Sequence, residues 1–227
     1  MTRGRRFRYD PGVRSPLPAF LITVAAFAQQ PAVPIENEWV RVVQAQNQPG
    51  QKSRLHKHDV NRVMVHLSPG VLRLSYQGKP VNDVKFKAGD IRWDHSGGMH
   101  TSENTGSTSF RIVEVELKKP GAPVSWPALD PLKVAPRNYR VEFENEQVRV
   151  VRVHIPAKGA IPRHDHAANR VSVALTPARI QVTRDDGAKT EAAFAAGEAR
   201  WGTPGVHAEQ NLLDTPIELV MIELKAK

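Results

Sequence analysis

The sequence predicts an all-β protein made of two tandem copies of one small domain. Three observations carry this: the chain matches itself over most of its length, its apolar residues fall in short β-type runs between turns, and it lacks helical periodicity. Residues 36–94 lie over residues 144–202 at a constant offset of 108 without a gap, and 20 of the 59 positions are identical. One extra residue in the first copy then shifts the offset to 107, after which His100 meets His207, Asn104 meets Asn211 and Glu116 meets Glu223. A unit of this size present only twice is a domain, since a solenoid needs several shorter repeats. Within the first copy the runs at residues 40–43, 63–67, 71–76, 91–93 and 110–117 are β-branched or alternating, and they recur at 148–153, 171–175, 180–183, 199–201 and 217–224. Evenly spaced short strands with Gly, Pro and Asp turns predict a sandwich or barrel. Residues 189–196 are alanine-rich, but they match the non-helical 81–88 and are not read as a helix.

The expected organisation is a leader at 1–28, a first domain at 36–118, a linker at 119–138 and a second domain at 139–227. Pro120, Pro123, Pro127, Pro131 and Pro136 mark the linker, a density that excludes a continuous helix or a central strand. The leader is arginine-rich at its start, apolar from 17 to 28, and ends in Ala26-Phe27-Ala28, the small-residue pattern that a signal peptidase reads. Its apolar run of 12 residues is too short to cross a bilayer, which takes about 20. The mature chain is therefore expected to be secreted or periplasmic after cleavage near Ala28, with no membrane span. Arg5-Arg6-Phe7 resembles a twin-arginine signal only incompletely.

The net charge of +9 does not indicate nucleic acid. Five basic residues sit in the leader, and without that segment 27 basic and 22 acidic residues leave +5, scattered and without interleaved aromatics. The chain has no cysteine, so disulfides, thiolate metal ligands, a cysteine nucleophile and a lipoprotein anchor are all excluded.

Histidines carry the chemistry. The first copy has His56-x-His58, then Gly89, His95-x-Gly97 and His100, with Asn104 four residues on; the second has His164-x-His166, Pro204-Gly205, His207 and Asn211. These spacings resemble the two signature motifs of the cupin superfamily, with His95 standing where that family usually has proline. The resemblance spans both halves and implies two tandem cupin-type jelly-roll β-barrels, as in the two-domain members called bicupins. In a strand, residues i and i+2 face the same way, so each histidine pair can aim two imidazoles at one point. His100 or His207 can close the triangle. The expected ligand sets are His56, His58 and His100 in the first domain, and His164, His166 and His207 in the second. They hold up to two divalent transition metals per chain, with Fe, Zn, Cu, Ni and Mn not distinguished. Histidine sets kept only as hydrogen-bonded structural residues are the alternative.

The cupin pattern commonly adds a glutamate after the histidine pair. Here the corresponding positions hold Val63 or Arg62, and Val171 or Arg170. The uniformly apolar row of Val63, Val65, Leu67 and Val171, Val173, Leu175 is expected to face the barrel interior. The resulting neutral three-histidine site resembles the acetylacetone and cysteine dioxygenase type of cupin, and such a site favours an anionic ligand. Arg62 and Arg170 can steer that anion or serve as ion-pair partners. His66 and His95 are each read as a solvated or capped histidine rather than a ligand, with His95 also the candidate acid or base or a group supporting the ligands. Trp93 and Trp201 are expected to pack the barrels, and Asn104 and Asn211 to fix turns. Two functions follow: a metal-dependent oxygenase or related small-molecule enzyme, or a non-catalytic extracytoplasmic module that captures or stores a metal or small anion. Homo-oligomerisation is compatible with both.

Overall fold

The computed structural model describes residues 31–226 together with Met1. The expected leader at 1–28 lies outside the described residues, apart from that first methionine. The first half is built from β1 (Ala32–Glu36), β2 (Val40–Asn47), β3 (His56–His58), β4 (Arg62–His66), β5 (Gly70–Tyr76), β6 (Asn82–Phe86), β7 (Ile91–Asp94), β8 (Gly97–Asn104) and β9 (Phe110–Leu117). A four-residue helix, α1 (Pro131–Val134), precedes the second half: β10 (Tyr139–Glu144), β11 (Val148–Ile155), β12 (Ala160–His166), β13 (Arg170–Ala174), β14 (Ala178–Arg184), β15 (Lys189–Phe194), β16 (Ala199–Gly202), β17 (Gly205–Asn211) and β18 (Ile217–Leu224).

Each half is a pair of antiparallel sheets. The first has a five-stranded sheet ordered β1-β2-β9-β4-β7 and a four-stranded sheet ordered β3-β8-β5-β6; the second repeats this as β10-β11-β18-β13-β16 and β12-β17-β14-β15. The two sheet pairs give two jelly-roll domains of the same topology, the fold the sequence predicts. The repeated Glu-Asn-Glu motif has a local cause, a turn into the next strand: the Asn37 side chain accepts from the Trp39 and Val40 amides, and Asn145 from Gln147 and Val148. The alanine-rich 189–196 segment holds strand β15, as its match to β6 implies.

The five-stranded sheets are apolar on their outer faces because they pack against each other. Val40, Val42, Val63, Val65, Val113, Val115 and Leu117 form one buried cluster with Val148, Val150, Val171, Val173, Val220, Ile222 and Leu224 of the other half. Reciprocal hydrogen bonds follow the duplication across this interface: Gln44 Nε2 donates to the Gly197 carbonyl at 2.8 Å, and its counterpart Arg152 donates from Nη2 to the Gly89 carbonyl at 2.6 Å. Both glycines sit in turns at positive φ, 84° and 87°, which a residue with a Cβ adopts only with strain. The interface is thus a pseudo-twofold one made by two copies of the same surface.

This overturns the inward assignment of the valine row. Val63, Val65, Val171 and Val173 point away from their own interiors, into the contact between halves. Trp93 and Trp201 pack at the edge of the same cluster rather than inside a barrel. The alternate residues of each strand face the interior. There the second half is packed by Val151, Val153, Ile155, Ile161, Ile180, Leu219 and Met221 with Tyr139, whereas the first half has a smaller cluster of Leu72, Leu74, Phe86 and Phe110, with Val43, Met64 and Ile112 also buried.

Candidate metal centres

The two histidine triads assemble where a short strand meets its partner in the four-stranded sheet. On β3 and β8, His56 pairs directly with His100; on β12 and β17, His164 pairs with His207. Strand alternation places His58 and His166 on the same faces as His56 and His164. In each triad the three donor atoms lie within 4.8 Å of one another. Ring centroids are 5.0, 4.5 and 5.5 Å apart in the first half and 4.8, 4.6 and 5.2 Å in the second, so duplication has preserved the site's dimensions.

The far nitrogens of these rings are held by backbone. His56 Nδ1 meets the Arg54 carbonyl at 2.8 Å, His100 Nδ1 the Gly98 carbonyl at 2.9 Å, and His164 Nδ1 the Pro162 carbonyl at 2.8 Å. A carbonyl accepts only, so Nδ1 carries the proton and Nε2 presents its lone pair inward. His58 and His166 instead face carboxylates, Glu116 at 3.8 Å and Glu223 at 3.6 Å. Each carboxylate is tied to the matching arginine: Arg41 to Glu116 at 3.1 Å, Arg149 to Glu223 at 2.5 Å. In the second half Arg149 also pairs with Asp130 at 2.8 Å and lies 3.4 Å from the Trp126 ring centroid. The proline-rich segment thereby buries its Asp130 behind the second centre.

Burial favours the neutral form of three of these rings. Desolvation lowers the pKa of His100 and His164, and lowers that of His166 to about 2 with Arg170 adding to the effect. Neutral imidazoles are the ligand form. His164 Nε2 and His166 Nε2 lie 3.1 Å apart, close to the ~3.0–3.4 Å between donors that share one ion at bond lengths of about 2.1 Å. Three imidazole donors within 4.8 Å of one another in each half, at least two of them backed by a carbonyl or a carboxylate, fit a divalent transition metal.

The interior faces bring Arg62 and Arg170 toward these centres. Arg62 is buried, with Asp94 at 2.5 Å and Glu114 at 3.4 Å, and its Nη1 has no hydrogen-bond partner. Arg170 occupies the equivalent place, but Gly202 stands in the register position of Asp94 and Met221 in that of Glu114. It donates to the Thr203 carbonyl at 2.6 Å and makes no ion pair among the described residues, while Glu209 and Glu223 act on it from farther away. A cavity of about 550 Å³ adjoins the second triad, lined by Arg170, Arg184, Arg200 and one acid, Glu209. The first-half cavity, about 500 Å³, has Arg41 against Glu114 and Glu116.

Glu209 and Tyr139 are the residues that the motif spacing does not reveal. Glu209 Oε1 lies 3.4 Å from His207 Nε2, and the Tyr139 hydroxyl 3.4 Å from His164 Nε2. Burial pushes the Glu209 carboxyl up, and the neighbouring His207 outweighs this and holds it low. The signal for Glu209 was present in the sequence, two residues after His207 on the same strand face. In the first half that position is Ser102.

His95 is exposed, beside Trp93, whose Nε1 donates to its Nδ1 at 3.4 Å; it lines neither cavity. His66 is fully buried against Phe86, with ring centroids 3.9 Å apart, and not solvated. It holds the Asp90 carbonyl and joins neither triad. Asn104 and Asn211 do fix turns, each donating to backbone carbonyls on both sides and accepting the amide two residues on.

The chain matches no protein-family model. It is 36% identical over 67 residues to an oxalate-binding protein of Thermotoga maritima, a match covering 30% of this chain and 53% of that one. The chain thus spans about half the length of this curated relative. Among solved structures it is similar to AerE from Microcystis aeruginosa, with a TM-score of 0.61 at 14% identity over 86% of this chain and 96% of that one. It is also similar to the oxalate decarboxylase of Bacillus subtilis, in a structure concerned with Mn(II) centres, with a TM-score of 0.55 at 13% identity over 84% and 70%. At these identities the likeness is one of fold.

Proposed function

We propose that this chain, a bicupin by its fold, works outside the cytoplasm as a metalloprotein whose second half receives a small carboxylate or enolate as a further ligand to its metal. The observation that carries this reading is the charge of the second-half cavity. Three arginines line it against one glutamate, and although Arg200 is paired with Glu198, Arg170 and Arg184 form no ion pair among the described residues. In the first half the matching arginine is neutralised by Asp94 and Glu114. A guanidinium facing a cavity of this size suits bidentate recognition of a carboxylate.

A divalent ion, when bound, supplies Lewis acidity and a common site for anion and O2 or water. The protein's part is to hold three neutral imidazoles, orient the anion through Arg170, and exclude bulk water with the interior apolar residues. Open space beside the triads favours turnover, as a metal-dependent oxygenase or related small-molecule enzyme, over storage. Capture without turnover is the second reading, supported by the relative that is an oxalate-binding protein.

The test uses protein loaded with Fe(II) or Cu(II) and titrated with oxalate and with a β-diketone. The metal spectrum is expected to respond, and Arg170→Met to weaken the response at least about tenfold. O2 uptake with either anion separates enzyme from capture. No response to any anion tried overturns the reading. Export is checked by intact mass of protein recovered from producing cells, which should begin near Gln29; a mass retaining residues 1–28 removes that part of the proposal.

A further inference from the structure

The duplicated centres differ in one place that bears on the metal itself. On β17, Glu209 lies two residues beyond His207 and so shares its face; the first-half equivalent on β8 is Ser102, two residues beyond His100. Glu209 Oε1 is 3.4 Å from His207 Nε2, the nitrogen through which that ring would bind an ion. His207 Nε2 has no properly aligned hydrogen-bond partner. When a metal takes that nitrogen's lone pair, the Nε2–H that attracts Glu209 is gone. The carboxylate is then left in the interior beside the metal, without an ion pair among the described residues, since Arg170 donates to the Thr203 carbonyl and acts on Glu209 only from farther away. A buried carboxylate without a cation is costly, and coordination removes that cost.

We infer that Glu209 is a fourth protein ligand of the second centre, which makes the two centres chemically unequal: three histidines and a carboxylate in the second half, three histidines and a nearby hydroxyl in the first. The carboxylate comes from the strand of the third histidine, not from the strand after the histidine pair. Rotation of Glu209 about its side-chain bonds brings it onto the ion, since its oxygen lies outside the set of donors already within 4.8 Å of one another. A negatively charged oxygen ligand favours Mn(II) and Fe(II), whereas an all-imidazole site favours Zn(II), Cu(II) and Ni(II). The inference rests on the triads being metal centres.

The test reads metal affinity in single-centre proteins. His56→Ala leaves only the second centre and His164→Ala only the first. Mn(II) is titrated into each, followed by its electron paramagnetic resonance signal, and Zn(II) by calorimetry. In the His56→Ala protein, Glu209→Gln is expected to lower Mn(II) affinity at least about tenfold and Zn(II) affinity less. In the His164→Ala protein, Ser102→Glu is expected to raise Mn(II) affinity by a similar factor. Glu209→Asp, which keeps the charge on a shorter arm, should fall between wild type and Gln, and circular dichroism verifies that each variant is folded. If the second centre binds metal and both Gln and Asp variants match wild type within about twofold, the inference falls while the metal centres stand. If neither single-centre protein binds any of these ions, the triads themselves are structural and both readings fall.

Discussion

Replacing Val63 by threonine is the sharpest test of which way the valine row faces. The substitution is nearly isosteric and exchanges one methyl group for a hydroxyl. Val63 is wholly buried, flanked on its sheet by Trp93 of β7 and Val115 of β9, and packed in the cluster shared by both halves. The neighbouring backbone groups are engaged in ladder hydrogen bonds and the surrounding side chains are apolar, so the hydroxyl is desolvated without a partner. That costs about 1–3 kcal/mol. With a urea m-value of roughly 2–3 kcal/mol/M, a loss of about 2 kcal/mol lowers the unfolding midpoint by roughly 0.7–1 M. Val171→Thr, its counterpart against Trp201 and Ile222, should behave alike. Urea unfolding followed by circular dichroism reads the midpoint, with metal stoichiometry measured on the same samples. Because the cluster belongs to both halves, a single transition that shifts as a whole is expected, with metal content unchanged. An unmoved midpoint combined with altered metal binding would return Val63 to the interior and refute the assignment. For the same reason Val63→Glu would not restore a metal ligand, since it would bury a charge between the halves.

Three further outcomes follow from the structure. Gly202→Asp gives Arg170 the partner that Arg62 has in Asp94; a Cβ there meets the guanidinium carbon at 3.0 Å, and the metal spectrum's response to oxalate should weaken at least about tenfold, an unchanged affinity arguing against Arg170 as the anion's partner. Arg149→Met leaves Glu223 and Asp130 buried without their cation and should cost about 3–5 kcal/mol, while Arg41→Met, at a position 38% exposed, should cost about 1 kcal/mol or less; equal urea-midpoint shifts would contradict this. The metal-free protein should lose stability on acidification: folded His166 stays neutral down to about pH 2, the unfolded chain takes up its proton below about pH 6.5, so the unfolded state binds more protons and about 2 kcal/mol is lost by pH 5. His164 and His100 act in the same direction, and a melting temperature that rises between pH 7.5 and 5, in metal-free samples, would refute the assignment of buried neutral imidazoles.

The sequence by itself determined the duplication, the all-β class and the two triads. Identity at a fixed offset is a linear property, and the His-x-His spacing needs only the two-residue period of a strand to put two imidazoles on one face. It did not determine which face was the inside. A row of valines is apolar in the same way whether it meets its own domain's interior or a second copy of itself, and only the packing of the two five-stranded sheets decided between them. That choice fixed the rest, because turning Val63 and Val171 outward turned Arg62 and Arg170 inward, toward the histidines. The paired sequences also gave Arg62 and Arg170 one reading, although Asp94 and Glu114 neutralise the first while Gly202 and Met221 leave the second without a carboxylate. Those partners lie on different strands, up to 52 residues away in the chain, so their effect is set by sheet register. Glu209 was legible two residues after His207 on the same strand, but its meaning depended on His207 belonging to a triad, which exists only once β12 and β17 pair and bring His164 opposite His207.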